Sequence, residues 1–191
     1  LAFVMVLLWD RGFLLRRELI KGMPWRELLS IIALFVIGGG MVAAYVAQEM
    51  PRVFLSFPRD RPEIWQRVMI LYPLASVIVQ ELVYRTFFFH RYGALFGQAT
   101  WLMVLINGVL FGVAHMLFNN WVAVAGTTVI GFLLAYRYAV TRSLWAVCIE
   151  HTLWGWLVFT VGLGGFFFTG VSNMPAWDRL LEFRQWAEQL L

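Results

Sequence analysis

Long runs of apolar residues dominate the chain and predict transmembrane helices. The longest runs lie at residues 28–46, 68–89, 100–118, 121–138 and 144–168. Each is close to the about 20 residues that an α-helix needs to cross the roughly 30 Å hydrocarbon layer of a bilayer. The pattern therefore predicts five full membrane spans.

Three further segments do not fit a full span. Residues 1–9 are apolar but too short to cross a bilayer, and we interpret them as the end of a sixth, truncated N-terminal span. Residues 13–29 and 176–191 mix apolar and charged positions, as amphipathic helices at a membrane surface do. We find no repeat and no linker, so residues 1–191 are predicted to form a single all-α domain, a polytopic membrane helix bundle.

Composition supports the membrane class. The chain is 61% hydrophobic and only 14% charged, with a mean hydropathy of +0.74, well above the apolar share of a soluble domain. The net charge of +4 comes with no recognisable nucleic-acid module, so no nucleic-acid partner is expected. The single cysteine, Cys148, excludes an intrachain disulfide and a cysteine-based zinc site.

The basic residues at the ends of the apolar runs and between them predict the orientation. Under the positive-inside rule, loops rich in Lys and Arg face the cytoplasm. Two such regions, before the first full span and between the last two, carry Arg11, Arg16, Arg17, Lys21, Arg26, Arg137 and Arg142. Alternation then places residues 91–99 on the cytoplasmic side and residues 49–67 on the opposite side. We expect a multi-pass protein of a plasma membrane or an inner membrane.

The second span carries a cluster of polar residues, and ionisable groups at membrane depth are costly and usually functional. Positions i and i+4 share a helix face, so Glu81 pairs with Arg85 and Gln80 with Tyr84. The Glu81 carboxylate therefore has two compatible interpretations. It forms a structural ion pair with Arg85, or it acts as a general base or holds the base's neighbours in place.

Two more spans carry histidines. Asn107, Phe111, His115 and Asn119 follow one another at i+4 steps, while Gly108 and Gly112 form a small-residue pair that allows another helix to approach closely. His151 follows Glu150 in the last span. At 1.5 Å per residue, Glu81, His115 and His151 lie roughly 15, 24 and 10 Å from the cytoplasmic side, so tilted helices are needed for them to meet.

These motifs resemble a known family. The order Glu-Glu-x-x-x-Arg, Phe-x-x-x-His and His-x-x-x-Asn, each in a separate span, resembles the CAAX-protease and bacteriocin-processing (CPBP, or Abi) family of intramembrane glutamic endopeptidases. The resemblance covers residues 71–161 and implies a CPBP-like bundle. It implies that the first Glu and the His of the second motif activate a water, while the His and Asn of the third stabilise the oxyanion. Five positions match, namely Glu81, Arg85, Phe111, His115 and His151.

The chain departs from the family pattern at two positions. Gln80 stands at the first Glu, and a neutral amide cannot accept a proton from water. Gly155 stands at the Asn, and losing a donor from an oxyanion hole typically costs about 3 kcal/mol of transition-state stabilisation. Glu81, Glu150 and Asn119 are the neighbouring residues that could compensate.

Three hypotheses follow. The first is an intramembrane endopeptidase that cleaves near the end of a membrane-bound or lipid-modified protein, with His115 and Glu81 handling the water and His151 the oxyanion. The second is a catalytically degenerate member that binds a peptide, a lipid or a membrane protein. The third, metal-based hydrolysis, ranks lower because no His-Glu-x-x-His helix is present. We expect no metal and no cofactor, and a supporting set of Gln80, Arg85, Phe111, Asn119 and Glu150 around the catalytic residues.

Overall fold

The computed structural model describes residues 20–167, together with Met5 and Phe13. This part of the chain is helical and contains no strand. Its six helices are α1 (Trp25–Glu49), α2 (Ser56–Asp60), α3 (Pro62–Phe96), α4 (Thr100–Phe118), α5 (Trp121–Thr141) and α6 (Leu144–Thr160). Four of them, α1, α3, α4 and α5, are long and apolar enough to cross a membrane, which confirms a polytopic membrane helix bundle.

The fifth predicted span is shorter than expected. Helix α6 has 17 residues, about 25 Å at 1.5 Å per residue, and it ends at Thr160 instead of continuing to residue 168. The chain turns at Gly162, whose φ of 96° is in the region that favours glycine, and Leu163–Phe167 forms a 3-10 helix. A side chain at Gly162 would also overlap the Val53 carbonyl, so this turn packs closely on the segment between α1 and α2.

Helix α3, which carries Gln80 to Arg85, is longer than the predicted span. Its 35 residues reach about 52 Å, more than the thickness of the hydrocarbon layer. Pro62 starts the helix in its first turn, and Gly97, with a φ of 51°, ends it. Two π-helical segments, Pro73–Val77 and Leu82–Phe87, interrupt the α-helical hydrogen bonding, the first of them beginning at a proline that has no N–H to donate.

Side-chain caps fix the starts of the last two long helices. The Asn120 side chain accepts a hydrogen bond of 2.7 Å from the Ala123 N–H at the start of α5. Ser143 accepts one of 3.3 Å from the Ala146 N–H at the start of α6. Asn and Ser are the residues expected at these positions, because their oxygens satisfy N–H groups that have no partner within the helix.

Glycines bring α4 and α5 into close contact, as predicted for Gly108 and Gly112. A Cβ at Gly108 would overlap the Phe132 ring, and one at Gly112 would overlap the Thr128 hydroxyl. From the other side, a Cβ at Gly131 would approach the Gly108 carbonyl to 2.9 Å. Small residues at all three positions allow this contact between the backbones of the two helices.

The predictions for the chain ends are tested only in part. The truncated span at residues 1–9, apart from Met5, and the surface helix at 176–191 lie outside the described residues, as do residues 14–19 of the surface helix predicted at 13–29. Residues 25–29 are described, and they form the beginning of α1 instead of a separate surface helix. This segment joins α1 because its apolar periodicity continues without a break into the first span.

The orientation of α3 gives a test of the topology. Arg59, in α2, and Gln98, after the end of α3, are both exposed and lie at opposite ends of the 35-residue helix. We expect cysteines at these two positions, introduced one at a time, to react with an impermeant maleimide from opposite sides of a sealed vesicle. The wild-type protein is the control, because its only cysteine, Cys148, is buried. Labelling of both cysteines from the same side would contradict a membrane-crossing α3.

Candidate active site

A cavity of about 610 Å³ lies between α1, α3, α4, α5 and α6, and residues of the 3-10 helix Leu163–Phe167 also line it. Most of its wall is apolar, as is usual for ligand sites. Six side chains with a hydroxyl, amide or imidazole group line it, namely Tyr72, Ser76, Gln80, His115, Thr127 and His151. The cavity therefore brings α3, α4 and α6, the three motif-bearing helices, to one space.

Glu81 and His151 form a close pair between α3 and α6. The His151 Nδ1 lies 2.7 Å from the Glu81 Oε1, and both side chains are buried. A carboxylate accepts hydrogen bonds, so Nδ1 carries the hydrogen and donates it. This contact fixes the orientation of the His151 ring and leaves Nε2 as the ring nitrogen available to a bound molecule.

Arg85 neutralises the second oxygen of the same carboxylate. Its Nε lies 3.3 Å from the Glu81 Oε2, which confirms the predicted i,i+4 ion pair, although the two atoms are not aligned as a hydrogen bond. The Arg85 Nη2 donates to the Gly131 carbonyl at 3.3 Å, and the guanidinium lies 4.7 Å from the centre of the Phe111 ring. Arg85 is fully buried, so this set of contacts is the environment that holds its charge within the bundle.

His115 faces the same cavity from α4. The regular α-helix ends at Ala114, and His115 begins a 3-10 turn. Its Nδ1 lies 2.7 Å from the Phe111 carbonyl oxygen. Because a carbonyl can only accept, Nδ1 carries the hydrogen, and in the neutral ring Nε2 is a free acceptor.

The ring of Phe111 separates the two histidines. Its centre lies 4.7 Å from that of the His115 ring and 5.6 Å from that of the His151 ring. Both imidazoles therefore flank one aromatic side chain and line one cavity. The predicted convergence of the second and third motifs agrees with this arrangement.

The positions of Gln80 and Glu81 differ from those expected if Glu81 is the general base, because that role requires Glu81 to line the cavity. Gln80 lines the cavity, where its Nε2 donates to the Ser76 Oγ at 2.7 Å and its Oε1 has no partner among the described groups. Glu81, one residue and 100° further around the helix, does not line the cavity. The expectation that Glu81 shares a water with His115 is therefore replaced by its contact with His151.

Glu150 points away from the histidines, contrary to the expectation that it could compensate for Gln80. Its two carboxylate oxygens accept hydrogen bonds of 2.9 and 3.0 Å from the Arg137 side chain. The same guanidinium donates to Glu27 and to Ser30, each at 2.6 Å. Arg137, interpreted from the sequence as a cytoplasmic surface residue, is instead buried at the contact of α1, α5 and α6.

Asn119 does not supply an amide to the cavity. It has a left-handed φ of 52° at the end of the 3-10 turn and is exposed, and it is absent from the cavity wall. The predicted stripe through Asn107, Phe111 and His115 ends there because the helix changes from α to 3-10 geometry at His115. Asn107 bonds elsewhere, donating to the Tyr84 carbonyl in the second π-helical segment of α3 at 2.6 Å.

Tyr72 and Ser76 were missed in the sequence analysis. They lie eight and four residues before Gln80, so the helical periodicity that places side chains on one face was available as a signal. A Cβ at Gly155 would overlap the ring and the hydroxyl oxygen of Tyr72. The Tyr72 phenol therefore fills the space into which a larger side chain at position 155 would extend.

The three predicted catalytic residues do not form a metal centre. No three His, Cys, Asp or Glu side chains in the described part of the chain are close enough together to hold a metal ion. Glu81 and His151 are in contact, but His115 bonds to the backbone of its own helix. The ligand geometry gives the metal-based alternative no support.

Comparison with known proteins identifies the family. No curated protein and no solved structure matches the chain significantly. Residues 63–157, from the start of α3 into α6 and including all three motifs, match the family model described as type II CAAX prenyl endopeptidase Rce1-like. The all-helical fold with four candidate membrane spans is consistent with this match. The chain therefore belongs to the Rce1-like family of type II CAAX prenyl endopeptidases, and with four candidate membrane spans it is an integral membrane protein.

Proposed function

We propose that the protein is an intramembrane endopeptidase that cleaves a membrane-anchored peptide close to its end, using histidines in place of the glutamate that Gln80 replaces. The observation that carries this proposal is the Glu81–His151 contact of 2.7 Å at the wall of the cavity that His115 also lines. An imidazole oriented by a buried carboxylate is the arrangement by which hydrolases prepare a histidine for catalysis. Membership of an endopeptidase family gives the reaction class.

His115 is the general base of the proposed reaction. Its Nδ1–H donates to the Phe111 carbonyl, so Nε2 has a lone pair for a proton from water. Its ring is more exposed to the cavity than that of His151, which leaves room for the water. Gln80 cannot take the proton, but its unpaired Oε1 is an acceptor that can orient the same water.

His151 stabilises the negative charge that develops on the carbonyl oxygen. In the proposed reaction His151 is an imidazolium, so both of its ring nitrogens carry a hydrogen. In that form Nδ1–H remains bonded to Glu81 and Nε2–H is directed to the oxyanion. Arg85 balances the charge of the pair by its position beside the other Glu81 oxygen.

A second candidate function is binding without catalysis. It is favoured by the Gln80 amide, which occupies the cavity wall where the family has a carboxylate, and by the absence of a side chain at Gly155. In this case the apolar cavity would hold a peptide or lipid chain, and the histidines would contribute polar contacts only. The two functions predict different effects of Gln80→Glu on the cleavage rate. If the wild type is an active enzyme, the variant should cleave at the same rate or faster. If the wild type only binds, the variant should gain cleavage that the wild type lacks.

The deciding experiment is a cleavage assay in reconstituted vesicles. The substrates are membrane-anchored peptides with and without a prenylated cysteine near the carboxyl end, and the products are identified by mass spectrometry. We expect cleavage by the wild-type protein and none by His115→Ala, because this variant lacks the general base of the proposed reaction.

The matched control is His90→Ala, because His90 lies at the exposed end of α3 and does not line the cavity. This variant should cleave at the wild-type rate. Cleavage by His115→Ala at the wild-type rate would remove His115 from the proposed mechanism. Absence of cleavage by the wild type across the substrate set, with cleavage by Gln80→Glu, would establish the binding function instead.

A further inference from the structure

Tyr72 has an unusual position beside the third motif. Its ring packs edge-to-face against His151, with ring centres 5.9 Å apart, and against Phe159, with centres 5.4 Å apart. Gly155 lies between those two residues at i+4 spacing, and only a glycine leaves room for the phenol there. The Tyr72 side chain therefore packs into a recess on one face of α6.

Hydrogen bonds between α3 and α6 fix the position of Tyr72 relative to this recess. The Trp65 indole N–H donates to the Thr160 hydroxyl at 3.2 Å, and the Trp156 indole N–H donates to the Met69 carbonyl at 2.9 Å. The Glu81–His151 contact adds a third connection on the other side of Tyr72. Because α3 is fixed to α6 before and after Tyr72, the phenol has a defined position relative to His151.

The Tyr72 hydroxyl is available to a bound molecule. Tyr72 lines the cavity, and its hydroxyl has no hydrogen-bond partner among the described residues. Tyr72 is partly buried, and the hydroxyl of a tyrosine in such a position usually has a hydrogen-bond partner. The Tyr72 hydroxyl and the His151 imidazole are therefore two hydrogen-bonding groups that line the same cavity.

We propose that Tyr72 is a catalytic residue that donates a hydrogen bond to the oxyanion, supplying from α3 the donor that position 155 of α6 lacks. This inference rests on the proposed endopeptidase function. The family pattern places a histidine and an asparagine on α6, four residues apart, and here the phenol occupies the space of the second side chain. A tyrosine hydroxyl is among the groups that stabilise tetrahedral intermediates in acyl-transfer enzymes.

The chemical step is complete with these groups. The water oxygen bonds to the carbonyl carbon, its proton goes to the His115 Nε2, and the carbonyl π electrons become a lone pair on oxygen. The Tyr72 O–H and the His151 Nε2–H donate to that oxygen without transferring their hydrogens. The C–N bond then breaks, the carbonyl re-forms, and the departing nitrogen takes the proton from His115.

The test compares Tyr72→Phe with wild type in the vesicle cleavage assay. Phenylalanine keeps the ring against Gly155 and removes only the hydroxyl. We expect kcat to fall by about 10²–10³-fold, the usual effect of removing one oxyanion donor, with KM changed less than about threefold. The matched control is Tyr45→Phe, because Tyr45 is exposed on α1 and does not line the cavity.

A rescue variant separates the loss of a donor from a change in packing. Gly155→Asn alone should fail to fold normally because its side chain overlaps Tyr72, whereas Tyr72→Ala with Gly155→Asn has room for the amide. We expect this double variant to cleave at least tenfold faster than Tyr72→Ala. A merely structural role for Tyr72 would not be rescued by an amide on the other helix.

The outcomes are distinguishable from those that test the endopeptidase function. A fall in kcat of tenfold or more in Tyr72→Phe supports the proposal. A smaller fall, in a wild type that does cleave, overturns the role of Tyr72 and leaves the endopeptidase function in place. No cleavage by wild type overturns both. If Tyr72→Phe does not accumulate, the comparison of the double variant with Tyr72→Ala decides, and equal rates overturn the proposal.

Discussion

Glu81→Gln is expected to destabilise the protein by about 3–5 kcal/mol and to abolish cleavage, because it leaves the buried Arg85 without a carboxylate. It also removes the negative charge beside the His151 Nδ1–H, although the amide oxygen can still accept that hydrogen bond. Glutamine has the shape of glutamate but not its charge, so the variant tests electrostatics with little change in packing. The measurement is the free energy of unfolding in detergent micelles, followed by SDS titration, together with the cleavage rate.

Two further variants separate the contributions of Arg85 and Glu81 to the loss of stability. Arg85→Met should destabilise less than Glu81→Gln, because Glu81 keeps His151 as a partner. Glu81→Gln combined with Arg85→Met should recover much of the stability while remaining inactive. Glu63→Gln is the control, since Glu63 is exposed near the start of α3. If Glu81→Gln is as stable as that control, the buried ion pair does not hold α3 in its observed place.

Arg137→Met is expected to destabilise the protein by a similar amount, about 3–5 kcal/mol, through a different helix contact. Arg137 is the only cation in contact with Glu150 within the described residues, and Glu150 is almost completely buried. Loss of the guanidinium also leaves the Glu27 carboxylate and the Ser30 hydroxyl of α1 without their link to α5 and α6. The measurement is again the free energy of unfolding in micelles.

The paired variant Arg137→Met with Glu150→Leu should regain most of that stability, because an apolar pair of similar size often replaces a buried ion pair at little cost. Neither residue lines the cavity, so the paired variant should cleave at close to the wild-type rate. Arg91→Met, at an exposed position near the end of α3, is the control for loss of a basic residue. Loss of cleavage in a stable paired variant would mean that this cluster reaches the site.

Much of the fold was predictable because its signals are local. Apolar runs gave the spanning helices, and Gly108 with Gly112 gave the close contact of α4 and α5. The ends of helices were less predictable, since they depend on single turns. Helix α6 stops at Thr160 because Gly162 accepts a conformation and a close approach that the composition of residues 144–168 does not reveal.

The site was predictable only in part, for a geometric reason. The i,i+4 pair of Glu81 and Arg85 follows from helix periodicity, but the contact of Glu81 with His151 joins residues 70 positions apart. Depths counted along the helices placed Glu81 and His151 close to level and His115 deeper, without showing which way each side chain points. The sequence shows that residues 72, 76 and 80 share a face of α3, but the π-helical segments change the local register, so the direction of that face relative to α4 and α6 could not be counted from the sequence.

Tyr72 and Gly155 share one space, and this has an evolutionary consequence. A side chain at position 155 and a phenol at position 72 exclude each other, so an amide fits at position 155 only after residue 72 has become smaller. Homologous chains should therefore fall into two groups, those with a tyrosine at 72 and a glycine at 155, and those with a smaller residue at 72 and an amide at 155. The oxyanion donor would have moved from one helix to the other through an intermediate that lacked both.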